Sequence, residues 1–495
     1  MSNSVSSSVA QARTKFNGRL IVPYQPEGVA WMLNRELNGG QVRGGFLCDE
    51  MGLGKTAQTT AMMLGNPLPR TLIIVPKSII TQWVNEIKRF APHLKVYTYD
   101  GPAREHGPIA NHDITIAPYS LTTNRKTPEH GTPLHRFGWD RVILDEGHEI
   151  RNSKSQTHKS IIKFRASIKW ILTGTPIFNS IKDFVALCGF LGIPQRVVQA
   201  YPDKIRNSYL LRRTKADVAK FNKRLELPPC DFENVELDMY PVERGYYNQA
   251  FTEAKGAIDS IFRTSDNIAS HNMEILECLL RVRQVMIHPQ LYLTGMATKS
   301  ETETEQFCGI TRKFEYLRDG ILSHPGEKTL VFCQFIQEMN LIQEMFEADH
   351  AGINIFRIDG SVSKDQRDLN LVNFRKDTGQ SVFLIQVKAG GVGLNIQEAT
   401  RVYITAPSWN PATELQAIGR SHRTGQTQKV WVKKLIYTGD DEIPSVEQSI
   451  MVLQGHKSTV CAEILGDERL LKQIPQTNRK GVSLRDVRNI FRTKK

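Results

Sequence analysis

The sequence predicts an α/β protein of two lobes, each a mostly parallel sheet flanked by helices. Short, β-rich apolar runs alternate with segments of helix length, and this alternation fades in the middle of the chain and then restarts. Near-continuous apolar strands that alternate with helices are typical of parallel sheets covered on both faces. A chain of 495 residues is long enough for two or three domains with sizeable cores.

Nine apolar runs are predicted to be the strands of these sheets. The first half of the chain contains RTLIIVP (70–76), DITIAPYS (113–120), DRVILDE (140–146) and IKWILTG (168–174). The second half contains KTLVFCQF (328–335), INIFRID (353–359), SVFLIQV (381–387), RVYITA (401–406) and VWVKKLIY (430–437). Between the halves, at about 178–315, the pattern predicts polar helices.

These patterns divide the chain into five segments. We expect a polar N-terminal tail (1–19), a first lobe (20–230), a helical insertion or linker (231–315), a second lobe (316–470) and a basic C-terminal tail (471–495). The N-terminal segment is rich in serine and has no acidic residue before Glu27, so an organelle transit peptide is an alternative to a disordered tail. The C-terminal segment is either a mobile arm or a solvated helix.

Charge and cysteine content narrow the class of protein. Lysine and arginine together number 64 against 51 acidic residues, a formal charge of +13, which favours a polyanionic partner, with nucleic acid first and anionic membrane second. The seven cysteines are scattered without a CxxC pair, so neither a disulfide framework nor a zinc module is predicted. No apolar run approaches the roughly 18 residues that span a bilayer. We expect a soluble intracellular protein that does not bind a membrane.

A glycine-containing loop is predicted to bind the phosphates of a nucleotide. In DEMGLGKT (49–56), backbone N–H groups and a helix N-terminus would face a phosphate, with Lys55 on the β and γ phosphates and Thr56 on Mg²⁺. Asp49 stands where the strict pattern has its first glycine, so the alternative is a glycine-rich turn at a helix start. The predicted ATP-binding residues of this loop are Asp49, Glu50, Met51, Gly52, Leu53, Gly54, Lys55 and Thr56.

Paired carboxylates at the end of a buried strand make the nucleotide interpretation stronger. RVILDEGH (141–148) is predicted to be a strand that ends at Asp145 and Glu146. A carboxylate at the carboxyl end of a strand, beside a phosphate loop, is where a Mg²⁺ ligand is needed. Asp145 is the predicted metal ligand, and Glu146 would orient the attacking water. A surface turn explains either stretch separately, but not both in this order within one lobe.

With these two stretches, further motifs over about 20–440 resemble the SWI/SNF-type family of ATP-dependent DNA translocases in helicase superfamily 2, in a compact form. The resemblance implies two RecA-like lobes, ATP and Mg²⁺ as cofactors, and duplex DNA as the partner. The remaining motifs that carry it are VPYQPEGVAWML (22–33), IIVPKSIITQW (73–83), LTGTPIFN (172–179), YLLRRTKADV (209–218), RVRQVMIHPQLY (281–292), FRIDGSVSKDQRDLNLVNF (356–374), QVKAGGVGLNIQEA (386–399) and SWNPATELQAIGRSHRTGQ (408–426).

The resemblance also assigns roles to single residues. Gln25 would read adenine through its amide. Arg420 and Arg423 are three residues apart on what should be a helix, and would neutralise charge on the γ-phosphoryl group across the cleft between the lobes. Their spacing alone favours a solvated basic face, and only the surrounding motif points to catalysis. Residues implied in DNA contact or coupling are Lys77, Thr173, Gly174, Thr175, Lys388 and Gly391.

Two positions depart from the family pattern. Thr424 stands in place of isoleucine, which predicts a packing change, and Gln386 replaces a common serine, which puts a DNA contact there in doubt. The predicted function is a DNA-dependent ATPase that translocates on duplex DNA and remodels or displaces DNA structures or bound proteins, nucleosomes or a polymerase among them. It would act in the nucleus or another DNA-containing compartment, a viral or bacterial setting included. The alternatives are a strand-separating DNA or RNA helicase and an ATP-gated DNA-binding scaffold.

Overall fold

Apolar, β-branched runs form the centres of two parallel sheets in the computed structural model. The structure describes residues 3–101, 109–123, 131–174, 181–221, 226–265, 267–349, 352–387, 395–423, 425–465 and 490–491. The chain divides into two compact units, whose main bodies are Met1–Leu227 and Pro228–Lys457, with the residues from 458 onward shared between them. Each of the nine predicted runs contains a strand, and the predicted fold class is confirmed.

The sheet of the first unit has strand order β3-β4-β2-β5-β6-β1-β7, and all its described pairings are parallel. Its strands are β1 (Arg43–Leu47), β2 (Thr71–Val75), β3 (Val96–Thr98), β4 (Ile114–Pro118), β5 (Trp139–Asp145), β6 (Ala166–Leu172) and β7 (Leu210–Leu211). Its α-helices are α1 (Asn3–Lys15), α2 (Tyr24–Asn38), α3 (Lys55–Gly65), α4 (Ile80–Phe90), α5 (Pro133–Arg136), α6 (Gln156–Ile161), α7 (Ile181–Leu191), α8 (Gln195–Ala200), α9 (Pro202–Tyr209) and α10 (Lys215–Ala219).

The sheet of the second unit has strand order β10-β11-β9-β12-β13-β8, again with parallel pairings throughout the described residues. Its strands are β8 (Cys230–Leu237), β9 (Thr329–Cys333), β10 (Asn354–Ile358), β11 (Ser381–Gln386), β12 (Arg401–Ile404) and β13 (Val430–Tyr437). The α-helices that follow Pro228 in the chain are α11 (Pro241–Thr264), α12 (Asn272–Val285), α13 (Pro289–Ser300), α14 (Arg312–Leu322), α15 (Ile336–Asp349), α16 (Lys364–Lys376), α17 (Pro411–Ile418) and α18 (Val446–Leu465).

Burial explains why the central strands are continuous apolar runs. Every residue of β2 and of β9 is buried, as expected for a strand covered by helices on both faces. By contrast, β8 lies at the edge of its sheet, and its sequence CDFENVEL is mostly exposed and polar. Because this stretch is mostly polar, the sequence predicted that the helical linker begins after residue 230. The structure instead forms a strand at this position, so that part of the prediction was wrong.

The helices between the two halves share a core with the second sheet. Tyr247 and Ile258 of α11 belong to the same cluster of buried residues as Val331 and Leu384 of the sheet. Residues 241–300, which the sequence predicted as an insertion or linker, therefore lie in the second compact unit.

The N-terminal residues 3–15 are a packed helix, not a polar tail. Val5 and Ala12 of α1 are 0% and 1% exposed and belong to the core of the first unit. The Gln11 amide donates to the carbonyl oxygen of Leu64 in α3 at 3.0 Å. The prediction failed because α1 buries only small and β-branched residues spaced along a serine-rich sequence. That pattern resembles a solvated segment when no neighbour is known.

A buried ion pair fixes α2 to β5, the strand that ends in the paired carboxylates. Glu36 and Arg141 are each 1% exposed, and two hydrogen bonds of 2.6 and 2.7 Å join them. Trp170 of β6 donates to Glu36 Oε1 at 2.8 Å, and Asn66 donates to Glu36 Oε2 at 2.7 Å. Because the charges are paired and their remaining lone pairs are used, this network fixes strand position without an orphaned charge.

Within the described residues, no helix has the length and apolarity to cross a membrane.

Candidate active site

Three neighbouring parallel strands of the first unit end at the same level. In the order β5-β6-β1, Leu172 of β6 is in register with both Asp145 of β5 and Leu47 of β1. The backbone N–H of Thr173 donates to the carbonyl oxygen of Leu47 at 3.2 Å, which continues the register by one residue. The predicted phosphate loop, the paired carboxylates and the Thr173–Gly174 segment therefore leave the sheet side by side, at the edge where α/β sheets bind ligands.

The phosphate loop depends on two glycines with left-handed backbone. Gly52 and Gly54 have φ of 91° and 75°, a region that side-chain-bearing residues rarely adopt. Gly54 caps α3, whose first residue is Lys55, so the free N–H groups and positive end of that helix lie at the loop. The Lys55 ammonium donates to the carbonyl oxygen of Asp49 at 2.9 Å. This conformation is the one expected of a loop that surrounds phosphates.

The lysine and the acidic strand end are close enough to interact electrostatically. Burial and, to a smaller extent, the charge of Glu146 raise the pKa of Asp145, the Lys55 charge lowers it, and the net pKa is about 6. The would-be Cβ of Gly174 lies 3.0 Å from Lys55 Nζ and 2.5 Å from Met51 Cγ, so the segment after β6 contacts the loop through a glycine. The two stretches that the sequence assigned to one site thus lie together in one unit.

The Asp49 carboxylate is held by protein groups. It is 0% exposed and accepts hydrogen bonds from Arg213 Nε at 2.9 Å, Arg213 Nη2 at 2.5 Å and Gln58 Nε2 at 3.0 Å. Arg213 also donates to Tyr24 O and to Gln58 Oε1. The side chain of Asp49, a predicted ATP-binding residue, therefore fixes the loop, and its backbone oxygen accepts from Lys55.

Arg213 is the main residue that the sequence did not single out. It lies in the YLLRRTKADV stretch, whose resemblance to the family was noted without a role for any one residue. Two further hydrogen bonds join the Arg213 segment to the phosphate loop. Glu50 N donates to Arg213 O at 2.9 Å, and Lys215 N donates to Glu50 Oε2 at 2.8 Å. A side chain at Gly28 would lie 2.6 Å from Arg213 Nη2, so that glycine makes the approach of α2 possible.

Gln25 lies against the loop, as expected of a residue beside the nucleotide. It is 4% exposed, its Oε1 accepts from Ile21 N at 2.7 Å, and its Nε2 donates to Leu53 O at 3.2 Å. Tyr24 also donates to Leu53 O, at 3.1 Å. Leu53 is thereby fixed to α2 by two hydrogen bonds. An adenine contact through the Gln25 amide would exchange these bonds for bonds to the base.

Asp145 is oriented by two donors at the end of β5. Its Oδ2 accepts from Trp83 Nε1 at 2.7 Å, and its Oδ1 accepts from the backbone N–H of Glu146 at 2.9 Å. Trp83 is 1% exposed in α4, so the carboxylate is held from the adjacent helix. Tyr119 donates to the backbone oxygen of Asp145 at 2.9 Å. Burial raises the pKa of the Tyr119 phenol well above its ordinary value.

Glu146 adopts a left-handed backbone with φ of 50°, unusual for a side-chain-bearing residue and typical of constrained functional sites. Its Oε2 lies 3.4 Å from His148 Nδ1, and the same nitrogen lies 3.5 Å from Thr173 Oγ1. Burial lowers the pKa of His148, but the hydrogen bond and charge of Glu146 outweigh burial, so the net pKa is raised. The imidazole thus links the acidic pair to the segment after β6.

The donor set fits a hard divalent cation. Mg²⁺ is bound by few protein oxygens, usually one or two carboxylates, together with phosphate and water. The Thr56 hydroxyl in the first turn of α3 and the Asp145 carboxylate are such donors. Burial and the Glu146 charge raise the pKa of Asp145, so a nearby divalent charge would favour its ionised form.

The residues predicted to contact DNA lie in different settings. Lys77 follows β2, its side chain is 71% exposed, and it lies 3.5 Å from Asp100 Oδ1. Thr173 and Gly174 are buried beside the loop. Thr175, Lys388 and Gly391 lie outside the described residues, as does Thr424. Gln386, whose identity departs from the family pattern, accepts from Gly360 N at 3.2 Å and so joins the end of β11 to the segment after β10.

The predicted arginines of the second unit do not lie on a helix, which corrects the sequence prediction. α17 ends at Ile418, and Arg420 N and Ser421 N donate three residues back, to Ala417 O and Ile418 O. The chain tightens into turns after Gly419, where no side chain favours continued helix. Residues 419–426, with 424 outside the description, are called the arginine turn below. Arg420 is 3% exposed, whereas Arg423 is half-buried.

Comparison with protein families agrees with this geometry. A model described as the SNF2-related domain matches residues 24–201 and 202–291, more than half of the chain, and a model of the helicase conserved C-terminal domain matches 312–425. The chain belongs to the SNF2 family. The family is one of helicase-like ATPases, which accords with the phosphate loop and acidic strand end in the first unit.

The chain is similar to SNF2 proteins from viruses and animals. It is 29% identical to the "Probable global transactivator" of Orgyia pseudotsugata multicapsid polyhedrosis virus, covering 89% of this chain and 90% of that protein. It is 30% identical to "Chromodomain-helicase-DNA-binding protein 1-like" of Danio rerio, covering 86% of this chain and 42% of that protein. It is 27% identical to "Helicase-like transcription factor" of Mus musculus, covering 84% of this chain. The chain spans about half, 53%, of the length of that relative.

A solved structure, "Sulfolobus solfataricus SWI2/SNF2 ATPase core in complex with dsDNA", is 25% identical with a TM-score of 0.40, covering 97% of this chain and 98% of that chain.

Proposed function

We propose that this SNF2 protein is a DNA-stimulated ATPase that moves along duplex DNA and displaces what is bound to it. One observation carries the proposal: the register of β1, β6 and β5 brings the phosphate loop, Gly174 and the Asp145–Glu146 pair to one edge of a sheet. An ATP hydrolase requires phosphate donors, a metal ligand and a carboxylate beside the attacking water, and the residues proposed for all three roles lie at this edge.

Each residue has a distinct task in this proposal. Lys55 and the N-terminus of α3 bind the β and γ phosphates, and Mg²⁺, held by Thr56 and Asp145, neutralises phosphate charge when bound. Glu146 orients the attacking water, with His148 restricting its carboxylate. Trp83 keeps Asp145 oriented. From the second unit, Arg420 and Arg423 stabilise charge on the transferred phosphoryl group, a contribution of roughly 10³–10⁵ in rate in other nucleotide hydrolases.

Duplex DNA is the proposed partner because of charge and of the relatives' names. The formal charge is +13, and one relative carries the name "Chromodomain-helicase-DNA-binding protein 1-like". Contacts to phosphates carry little sequence information, so we propose binding without sequence preference. Affinity should then fall with salt, log K changing by about −0.9 per neutralised phosphate for each unit of log salt.

The proposal is tested by ATP turnover with and without duplex DNA, in wild type and in Lys55→Ala. We expect DNA to stimulate wild-type turnover and Lys55→Ala to abolish it while DNA binding persists. Lys77→Ala is the matched control, since Lys77 is an exposed lysine of the same unit and its loss should weaken DNA binding without abolishing turnover. Substantial turnover by Lys55→Ala would refute the phosphate-loop assignment.

The movement is tested separately by strand displacement and triplex displacement. A translocase removes a third strand from a triplex without separating the duplex beneath it. Separation of a forked duplex at a comparable rate would instead support the strand-separating alternative. ATP binding without turnover on any DNA would support the scaffold alternative.

A further inference from the structure

Side chains anchor the arginine turn to the rest of the second unit at three places, and a backbone hydrogen bond adds to them. Two anchors join it to the segment before β12: Gln426 Nε2 donates to Gln397 O at 2.8 Å, and Ser421 Oγ donates to Ala399 O. Ile396 N also donates to Arg420 O at 2.9 Å. These contacts fix the arginine turn to the loop that leads into β12.

The third anchor is a histidine that reaches the start of the unit. His422 Nε2 lies 2.8 Å from the carbonyl oxygen of Pro228, a residue 194 positions away in the sequence. A carbonyl oxygen can only accept, so Nε2 carries the proton in this contact. Pro228 is the first residue of the second unit and follows Leu227, the last residue of the main body of the first. His422 thus holds the chain where it passes from one unit to the other.

The held segment is stiff. Pro228 and Pro229 are consecutive, and each proline ring restricts φ to about −65° and removes a donor. The carbonyl oxygen of Pro229 accepts from Val430 N at 3.1 Å, where the chain begins its pairing with β13. Rotation about φ is therefore restricted at both residues that flank the Pro228 carbonyl.

We propose that His422 is a positioning residue that couples the segment joining the two units to the arginine turn. The inference rests on the proposed function, in which Arg420 and Arg423 act on the phosphoryl group. His422 lies between these arginines, so a movement of the Pro228 carbonyl shifts the turn that carries both.

The test compares His422→Ala, His422→Gln and a control in full-length protein. His422→Ala removes the donor, whereas the glutamine amide retains an N–H at a similar distance from the backbone. His324→Ala is the matched control, because His324 is a half-buried histidine of the same unit whose Nδ1 lies 2.9 Å from the backbone oxygen of Gly320. ATP turnover with saturating duplex DNA, KM for ATP and thermal unfolding are measured for each.

We expect His422→Ala to lower kcat roughly tenfold, the rate equivalent of one lost hydrogen bond. KM for ATP should stay within about twofold, since ground-state binding is in the first unit. His422→Gln should restore most of kcat, and His324→Ala should resemble wild type. A merely structural role would lower kcat and thermal stability together, whereas the proposed coupling lowers kcat at nearly unchanged thermal stability.

A second readout does not depend on turnover. The amide of Val430 should exchange hydrogen faster in His422→Ala than in wild type or His422→Gln, because the Pro229 carbonyl that it contacts is less restrained. Should the alanine variant not fold, His422→Gln is compared with His422→Asn, whose shorter amide cannot reach Pro228.

The outcomes separate the two proposals. A wild type without DNA-stimulated turnover rejects the proposed function and the coupling with it. An active wild type whose alanine variant has unchanged kcat, or whose glutamine variant is as defective as the alanine variant, rejects the coupling alone.

Discussion

Replacing Arg213 by alanine should destabilise the first unit far more than replacing a surface arginine. The guanidinium has a side-chain exposure of 14% and donates to four acceptors: both Asp49 oxygens, Gln58 Oε1 and Tyr24 O. Its loss leaves the Asp49 carboxylate, 0% exposed, with Gln58 Nε2 as its remaining donor among the contacts described above.

The magnitude follows from the burial of this pair. Removing one partner of a buried ion pair costs about 3–5 kcal/mol, because the remaining charge is neither solvated nor paired. An exposed ion pair is worth about 0–1 kcal/mol. Arg70→Ala is therefore the matched control, since the Arg70 side chain is 47% exposed and pairs at 3.7 Å with Asp140.

The assay is urea unfolding of the full chain, followed by tryptophan fluorescence. Trp31, Trp83, Trp139 and Trp170 lie in the first unit and are four of the six tryptophans, so the signal reports mainly on that unit. With a slope of about 1–3 kcal/mol per molar urea, the midpoint should fall by at least about 1 M. Asp49→Asn should cost less, because an amide can share the site without a charge. An Arg213→Ala midpoint equal to that of Arg70→Ala would contradict the assigned role of this pair.

Three further predictions concern other parts of the chain. Gly174→Ala should lower turnover roughly tenfold in a steady-state ATPase assay while the protein stays folded. The reason is that the added methyl group would lie 3.0 Å from Lys55 Nζ and 3.2 Å from Met51 N. Turnover equal to that of wild type would show that Lys55 tolerates displacement. Arg423→Ala should lower kcat more than it raises KM for ATP, and a change in KM alone would return that residue to the solvated basic face. Burial lowers the pKa of His288 to about 4, so between about pH 6.5 and 4 this histidine binds a proton in the unfolded chain but not in the folded one. The free energy of unfolding should therefore fall by about 1.4 kcal/mol for each pH unit below about 6.5. Urea midpoints from pH 7 to 5 should show this slope in wild type and lose it in His288→Asn.

Much of the fold and of the candidate site could be predicted from the sequence. Apolar runs such as TLIIV (71–75) and SVFLI (381–385) became buried strands, because a strand covered on both faces must be apolar along its whole length. The loop ending in Lys55 and the carboxylates at Asp145 were predicted to meet. Parallel strands place their carboxyl ends at one edge, so the expected meeting follows from strand direction alone.

Other features were not accessible to local patterns. The helix α1 is serine-rich, and β8 is a polar edge strand, so neither has the periodicity of a half-buried element. The arginines at 420 and 423 have helical spacing, but the chain leaves the helix at Gly419. Spacing reports which residues would share a face if a helix continued, and it carries no information on where a helix ends.

The sequence by itself determined the two parallel sheets, the phosphate loop and the acidic strand end, since each is encoded within one run of neighbouring residues. Only the tertiary structure decided that Asp49 is paired with Arg213, 164 residues away, and that His422 holds Pro228. The physical reason is that a side chain's partner depends on the path of the whole chain. Hydrogen bonds and charges act over a few ångströms, and the sequence does not specify which distant residues come within that range.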